Sequence, residues 1–144
     1  MDPTVQTRLG MLNDATQMFR SHPWMGIGLN TYYRTQEKNH VPGASLDYAH
    51  NSYIQLLAEV GILGFTSFLA LMICWFGHGV KSFSGMQDPE LKWLLGSVLA
   101  GVLGLCMASL FDNVLFELLP ATLFWVLMGF GVALAKIGSQ NNAS

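Results

Sequence analysis

Three long apolar stretches occupy most of the second half of the chain and alternate with short polar segments. They cover about residues 53–78, 93–111 and 118–135. About 20 apolar residues, each rising 1.5 Å along a helix, cross the hydrocarbon core of a bilayer, so each stretch predicts one transmembrane helix. In the first stretch the purely apolar part begins only after Glu59, so the start of this helix is expected to project into water.

The first fifty residues have a different pattern, in which apolar positions recur at helical spacing among polar ones. An amphipathic helix is indicated by the apolar set Val5, Leu9, Leu12, Ala15 or Thr16, and Phe19. Such a helix is expected to lie along the membrane or on the helix bundle. The segment SHPWMGIG (residues 21–28) should end it, and a short helix followed by an irregular loop should come next.

These patterns predict an all-α integral membrane protein built from three regions. An extracytoplasmic helical loop region covers residues 1–51, three transmembrane helices lie within residues 52–136, and residues 137–144 form a polar cytoplasmic tail. The orientation follows from Lys81, Lys92 and Lys136, because basic residues favour the cytoplasmic side of a membrane.

The charge distribution excludes one class of partner and supports the division into regions. Residues 1–50 carry eight charged side chains, four of each sign, and the remaining ninety-four residues carry only eight more. A net charge of -2 without a basic run argues against binding of nucleic acid, which needs clustered Lys and Arg.

Cysteines and histidines give no indication of a metal centre or a cofactor. Cys74 and Cys106 fall within apolar runs, where a buried or lipid-facing thiol is the expected state. The other histidines, His22, His40 and His78, show no metal-ligand spacing with Cys, Asp or Glu. We therefore predict no metal site and no cofactor.

The candidate chemistry concentrates in the stretch YAHNSYIQLLAEVGILGF (residues 48–65). Asn51 or Ser52 can cap a helix that begins here, and Ser52 with Gln55 has the spacing of a capping box. His50 should then lie just ahead of the helix N-terminus. Free N–H groups and the positive end of the helix dipole would suit that position to an anion such as a pyrophosphate.

Several polar residues in and near this stretch admit two interpretations each. Gln55 and Glu59 lie one helical turn apart, and they either face protein or a water-filled cavity or simply sit at the wet interface. His50 is either a general base or a structural neighbour of the cap. Asp112 and Glu117 are placed too loosely for an acid and base pair, so they should cap and solvate a turn, and Asp112 can also tie that turn to the first region.

The motifs in these segments resemble a known family. RLGMLNDATQMFRSHPWMGIGLNTY, beginning at Arg8, and AHNSYIQLLAEVGILGF, beginning at Ala49, are similar to the C-terminal half of the O-antigen ligase and polymerase family of bacterial membrane glycosyltransferases. An Arg on an amphipathic helix, a P-x-x-G-x-G turn and an H-N-x-Y-x-Q-x-x-x-E-x-G-x-x-G run occur in the family's order. The resemblance extends through Asp112 and Asn113.

This resemblance implies a polytopic enzyme of the inner membrane with a larger fold of the GT-C type. Such enzymes transfer a glycan from an undecaprenyl-diphosphate carrier to an acceptor hydroxyl, on lipid A core or on a growing glycan, in an inverting, metal-independent reaction. The match assigns His50 as the catalytic base and Arg8 as the residue that holds the diphosphate. Substrate-binding positions are also expected at Asn51, Gln55 and Glu59. Ligase and polymerase are not separable from these residues.

One departure from the family concerns size. Family members have many more spans than three, so we expect this chain to be a fragment, a truncated gene product or one part of a split protein. It would then lack N-terminal transmembrane helices and be inactive alone. The alternative from another class is a non-catalytic three-span membrane module. A transporter is less favoured, because the spans hold no charged residue at their centres and no pair of broken helices.

Overall fold

The fold is all-helical over the part of the chain that the structure describes. The computed structural model describes the backbone of residues 3–38 and 49–141, and the side chains of residues 10–35 and 49–141. The helices are α1 (Pro3–Ser21), α2 (Tyr32–Lys38), α3 (Ser52–Gly85), α4 (Pro89–Ala108) and α5 (Leu118–Asn141). Three of them, α3, α4 and α5, are long and apolar enough to cross a membrane. The predicted class, all-α with three transmembrane helices, is confirmed.

The helices do not end where the apolar stretches end. α3 continues to Gly85, and α5 continues to Asn141, so the segment predicted as a polar tail begins as helix. Hydropathy marks where a helix leaves the hydrocarbon, whereas a helix ends where its backbone hydrogen bonds end. Asp88 shows this at the start of α4, because its Oδ1 accepts hydrogen bonds from the N–H groups of Glu90 and Leu91 at 2.9 and 3.2 Å.

The buried face of α1 differs from the predicted one. Met11, Ala15 and Met18 are buried, at helical spacing, whereas Leu12 is exposed and Phe19 is only partly buried. Met18 packs in the core beside Ala15, where a flexible methionine side chain can fit an irregular gap. The prediction of an amphipathic helix is therefore confirmed, but the buried face is rotated by about one residue from the predicted face.

The chain divides into two compact units. The first consists of residues 1–68 together with Ser109–Asn113, and the second consists of Leu69–Ala108 together with residues 114–144. In the first unit, a small core forms around Ala15, Met18, Tyr32 and Ala58. α1, α2 and the first part of α3 all contribute to this core.

The second unit is a helical assembly from the rest of α3, α4 and α5. Its core includes Leu95, Val102 and Phe124, all fully buried. The indole Nε1 of Trp75 donates a hydrogen bond to the carbonyl oxygen of Met128 at 2.9 Å. A polar indole group buried among apolar helices thus has its partner within the unit.

Candidate functional site

A break in α3 organises the first unit. Gly61 has φ 66° and ψ -172°, values that lie outside the helical region. This part of backbone space is essentially restricted to glycine, because a Cβ atom would collide with the backbone. The break therefore separates a short N-terminal part of α3, which begins at Ser52, from the long apolar part that follows.

The turn that contains Pro23, Trp24 and Gly26 fills this break with backbone hydrogen bonds. We call residues 23–29, PWMGIGL, the inserted turn. Its carbonyl groups at Pro23 and Trp24 accept from the N–H groups of Ile62 and Leu63, at 2.9 and 3.3 Å. In the opposite direction, two of its N–H groups donate to carbonyl oxygens that α3 would otherwise use internally. These bonds are Ile27 N–H to Ala58 at 3.1 Å and Gly28 N–H to Glu59 at 2.9 Å.

The close approach of the two segments depends on a second glycine. Gly26 has φ 69°, and a Cβ atom placed there would overlap the backbone carbonyl of Glu59. The sequence predicted that residues 21–28 end the first helix, and α1 does end at Ser21. It did not reveal the partner, which lies about thirty residues further along the chain.

The Glu59 side chain completes the attachment of the inserted turn. The residue is fully buried, and its two carboxylate oxygens accept hydrogen bonds from the backbone N–H groups of Asn30 (2.5 Å) and Tyr32 (3.1 Å). Gln55 Nε2 also donates to Glu59 Oε1 at 3.3 Å. Of the two interpretations of Glu59, the one in which it faces protein is the one observed.

Tyr32 links this attachment to α1. Its hydroxyl group donates a hydrogen bond to the carbonyl oxygen of Met11 at 2.9 Å, and its ring is fully buried. Burial, with smaller contributions from the carboxylates of Asp14 and Glu59, raises the pKa of the Tyr32 phenol. The phenol is therefore neutral at physiological pH and able to donate.

The N-terminus of α3 is closed by its own neighbours rather than left open for a ligand. Asn51 caps the helix, since its Oδ1 accepts from the N–H groups of Tyr53 and Ile54 at 3.0 and 3.1 Å. The N–H of Ser52 donates to the carbonyl of Ser109 at 2.9 Å. The next N–H, that of Gln55, donates to the carbonyl of Asn51 at 3.1 Å.

Two sequence-based expectations fail at this helix N-terminus. The expected anion site needs free N–H groups, but those of residues 52–55 all have partners within the protein. The expected capping box between Ser52 and Gln55 is replaced by other hydrogen bonds. Gln55 Nε2 donates to Glu59 Oε1, one turn further along α3, and Ser52 Oγ donates to the carbonyl of Asp112 at 2.9 Å.

His50 lies beside the turn that follows α4. Its Nδ1 is 3.5 Å from Oδ1 of Asp112, and its side chain is 34% exposed. The same Asp112 oxygen accepts the N–H of Asn113 at 2.8 Å, which orients the carboxylate. His50 also has φ 46°, an uncommon backbone conformation for a residue with a side chain. The residue is thus held in a defined place while its imidazole ring stays accessible.

The turn at residues 109–113 is tied to the start of α3 at several points, as the interpretation of Asp112 anticipated. Asn51 Nδ2 donates to the carbonyl of Leu110 at 2.9 Å, in addition to the Ser52 contacts with Ser109 and Asp112. The sequence suggested this tie only as a second possibility for Asp112, because the contacts join residues about sixty positions apart.

Four of the predicted site residues fall into two groups by their hydrogen-bond partners. His50 and Asn51 meet Asp112 and its turn, while Gln55 and Glu59 lie further along α3 beside the inserted turn. At 1.5 Å per residue, Ser52 and Glu59 are roughly 10 Å apart along the helix. The fifth residue, Arg8, lies within α1, and its side chain is outside the described residues.

Gln55 carries an unusual polar atom in the second group. The residue is fully buried, and its Oε1 has no hydrogen-bond partner among the residues that the structure describes. Asn113 Oδ1, in the turn that contacts Ser52 and His50, is also buried and has no hydrogen-bond partner among the described residues. Buried oxygens of this kind are uncommon, and they mark positions where an additional donor would be stabilising.

A comparison with known protein families finds a match in this unit. Residues 1–69 match the family model described as O-antigen ligase. The resemblance to O-antigen ligases is confirmed over these residues. Searches of curated proteins and of solved structures find no match. Together with the three spanning helices, the O-antigen ligase match describes a multi-pass membrane protein.

The matched region and the first structural unit nearly coincide. The O-antigen ligase match ends at residue 69, and the continuous part of the unit ends at Phe68. Asp112 and Asn113 lie outside the match, although the turn that contains them belongs to the unit. The region that matches the O-antigen ligase model therefore lies almost entirely within one folded unit, which a short segment from later in the sequence completes.

Proposed function

We propose that this chain provides part of a glycan transferase of the O-antigen ligase type in the bacterial inner membrane. The donor is a glycan linked to undecaprenyl diphosphate, and the acceptor is a hydroxyl group such as one on lipid A core. The single observation that supports this best is the placement of His50, which is accessible and faces Asp112 within the unit that contains most of the matched region.

In the proposed reaction, His50 acts as a general base. The acceptor oxygen attacks the anomeric carbon of the donor sugar while the bond from that carbon to the phosphate oxygen breaks. Undecaprenyl diphosphate leaves with the electron pair of that bond. The proton of the acceptor hydroxyl passes to His50, which requires an approach of about 3 Å between the two heavy atoms.

Asp112 positions His50 in this mechanism. An imidazole whose Nδ1 donates to a carboxylate takes up a proton at its other nitrogen, and the carboxylate stabilises the imidazolium that results. The 3.5 Å separation between Nδ1 and Oδ1 is at the long end for a hydrogen bond. Catalytic contacts of this kind often tighten when substrate binds.

The proposed substrate-binding residues have unequal support. Arg8 is proposed to bind the diphosphate, since a guanidinium group binds phosphate oxygens in a bidentate manner. Asn51 and Glu59 remain proposals as binding residues, and their side chains already make hydrogen bonds within the protein. Gln55 has an acceptor oxygen without a partner in the described part of the chain, so a donor on a ligand could reach it only if the surrounding side chains moved.

The proposal is tested by glycan transfer in cells. The complete open reading frame that encodes this chain is expressed in cells whose own O-antigen ligase has been deleted, and lipopolysaccharide is examined by gel electrophoresis. We expect His50→Ala to lower transfer by about 10² to 10⁴, the usual contribution of a general base. Asp112→Asn keeps the backbone contact with Ser52 and should cause a smaller loss.

His22→Ala is the matched control for this experiment. His22 is an exposed histidine of the same unit, and its ring lies 3.0 Å from the hydroxyl group of the neighbouring Ser21, far from His50 in sequence. Transfer with His22→Ala should equal that of the unmodified protein. Equal transfer by the His50→Ala variant, at equal abundance in the membrane, would refute the assignment of His50 as base.

A second host, whose own polymerase has been deleted, distinguishes ligation from polymerisation. Restored ligation attaches glycan to lipid A core in cells without their own ligase. If the chain acts as a polymerase, it restores long glycans only in cells that lack their polymerase, whose lipopolysaccharide otherwise carries a single repeat. Failure in both hosts would favour the non-catalytic membrane module.

A further inference from the structure

The inserted turn exposes an unusual amount of apolar surface. Trp24 is 66% exposed, Met25 is 74% exposed and Leu29 is 66% exposed, all within six residues. Ile27, by contrast, packs against the core of the first unit. Contiguous apolar patches on a protein surface usually mark a place where another surface or a membrane binds.

The backbone that carries these side chains is held by hydrogen bonds. Four hydrogen bonds join it to α3 on both sides of the break at Gly61. A fifth, from Gly26 N–H to the carbonyl of His22 at 2.9 Å, closes the turn itself. The exposed apolar side chains are therefore a fixed feature of the fold rather than one conformation of a loose loop.

The position of the turn along α3 indicates what covers it. α3 has no Asp, Glu, Lys or Arg from Val60 to Val80, a length of 21 residues. At 1.5 Å per residue this is about 31 Å, close to the thickness of the hydrocarbon core. The turn is hydrogen-bonded to residues 58–63, so it lies where α3 enters the hydrocarbon.

The turn adjoins an exposed apolar residue of α3. Leu63 belongs to the apolar run of α3 and is 51% exposed, and its N–H donates to the carbonyl of Trp24. Tryptophan favours the boundary between headgroups and acyl chains, where its ring is partly dehydrated and its N–H stays near polar groups.

We propose that the inserted turn is a membrane-interface contact, in which Trp24, Met25 and Leu29 insert among the lipid headgroups and the first acyl carbons. The occupant of this surface is the lipid bilayer. The contact would hold the first unit at a fixed depth, since the same turn is hydrogen-bonded to the spanning helix. The inference is independent of which reaction the protein catalyses.

The test measures the surroundings of Met25 directly. A spin label is attached to Met25→Cys in a background with Cys74→Ala and Cys106→Ala. The full chain is reconstituted in vesicles of phosphatidylethanolamine and phosphatidylglycerol. Collision rates of the label with molecular oxygen, which concentrates in lipid, are compared with those of a water-soluble nickel chelate. Gln17→Cys, on the exposed polar face of α1, is the matched control.

We expect the ratio of oxygen to nickel collisions to be several-fold higher at residue 25 than at residue 17. Leu29→Cys provides a second label in the same surface and should behave as residue 25 does. Equal nickel access at residues 25 and 17 would place the turn in water and overturn the proposal. Exclusion of both reagents from residue 25 would show that protein covers the turn, and this result would also overturn it.

Discussion

Replacing Gly61 with alanine tests whether the break in α3 is a requirement of the fold. A Cβ atom at this position would lie 2.5 Å from the carbonyl carbon of Trp24 and 2.6 Å from the nitrogen of Gly26. These neighbours are backbone atoms and cannot move aside without displacing the inserted turn. The backbone angles of Gly61 would also strain any other residue, at a cost of about 1–3 kcal/mol.

The alternative for the Gly61→Ala variant is a straight helix, and its cost follows from the hydrogen bonds. The N–H groups of Ile62 and Leu63 would return to the carbonyls of residues 58 and 59, as in an ordinary helix. The N–H groups of Ile27 and Gly28 would then lose their acceptors. A buried donor without a partner costs about 1–3 kcal/mol, and because Ile27 and Gly28 are only partly buried, this route costs at most roughly 6 kcal/mol.

Gly77→Ala is the control, because Gly77 lies in the same helix and has open space beside it. Apart from the helix's own nearby backbone, a Cβ atom added at Gly77 would meet no heavy atom of the described residues within 4 Å. The free energy of unfolding is measured for both variants by titration with sodium dodecyl sulfate in mixed micelles. We expect Gly61→Ala to lose more than Gly77→Ala and at most roughly 6 kcal/mol, and Gly77→Ala to change by no more than about 1 kcal/mol. Equal stability of the two variants would refute the reasoning.

Three further substitutions are expected to lower the free energy of unfolding in the same titration. Asn51→Ala removes the cap of α3 and should cost about 0.5–2 kcal/mol, whereas Asn51→Asp should keep most of the cap. Tyr32→Phe deletes the hydrogen bond to the Met11 carbonyl and should cost about 0.5–1.5 kcal/mol. Trp75→Phe deletes the bond to Met128 and should cost at least as much, because the larger ring is also lost. No change in any one of these would show that its hydrogen bond contributes nothing to stability.

The features that the sequence predicted correctly are those determined by neighbouring residues. Helix capping by Asn51 depends on N–H groups two and three positions away, and it was one of the two caps expected. The spanning helices follow from the length of their apolar runs. The tight turn at Gly26 follows from its local composition. In each case the physical cause acts over a few residues, so the sequence pattern contains it.

The features that sequence reasoning missed depend on contacts between distant segments. Gly61 lies inside an apolar helical run, where a glycine is tolerated without a break, so its positive φ had no local signal. The closure of the α3 N-terminus depends on Ser109 and Leu110, which are far away in sequence. Met18 is buried in a core with Tyr32 and Ala58, which lie far away in sequence, so the pattern within α1 alone did not show that Met18 rather than Leu12 would be buried.

Glu59 shows how far a local pattern can specify the environment of a side chain. From spacing alone, Glu59 was expected either to face protein or a water-filled cavity or to sit at the wet interface, and the spacing did not identify its partners. In the structure its carboxylate accepts the N–H groups of Asn30 and Tyr32, and its backbone carbonyl accepts the N–H of Gly28. One residue of α3 therefore satisfies three backbone donors of the segment that follows α1. An apolar side chain at this position would leave two of those donors without acceptors, which explains physically why the glycine-containing turn and the acidic residue are needed together.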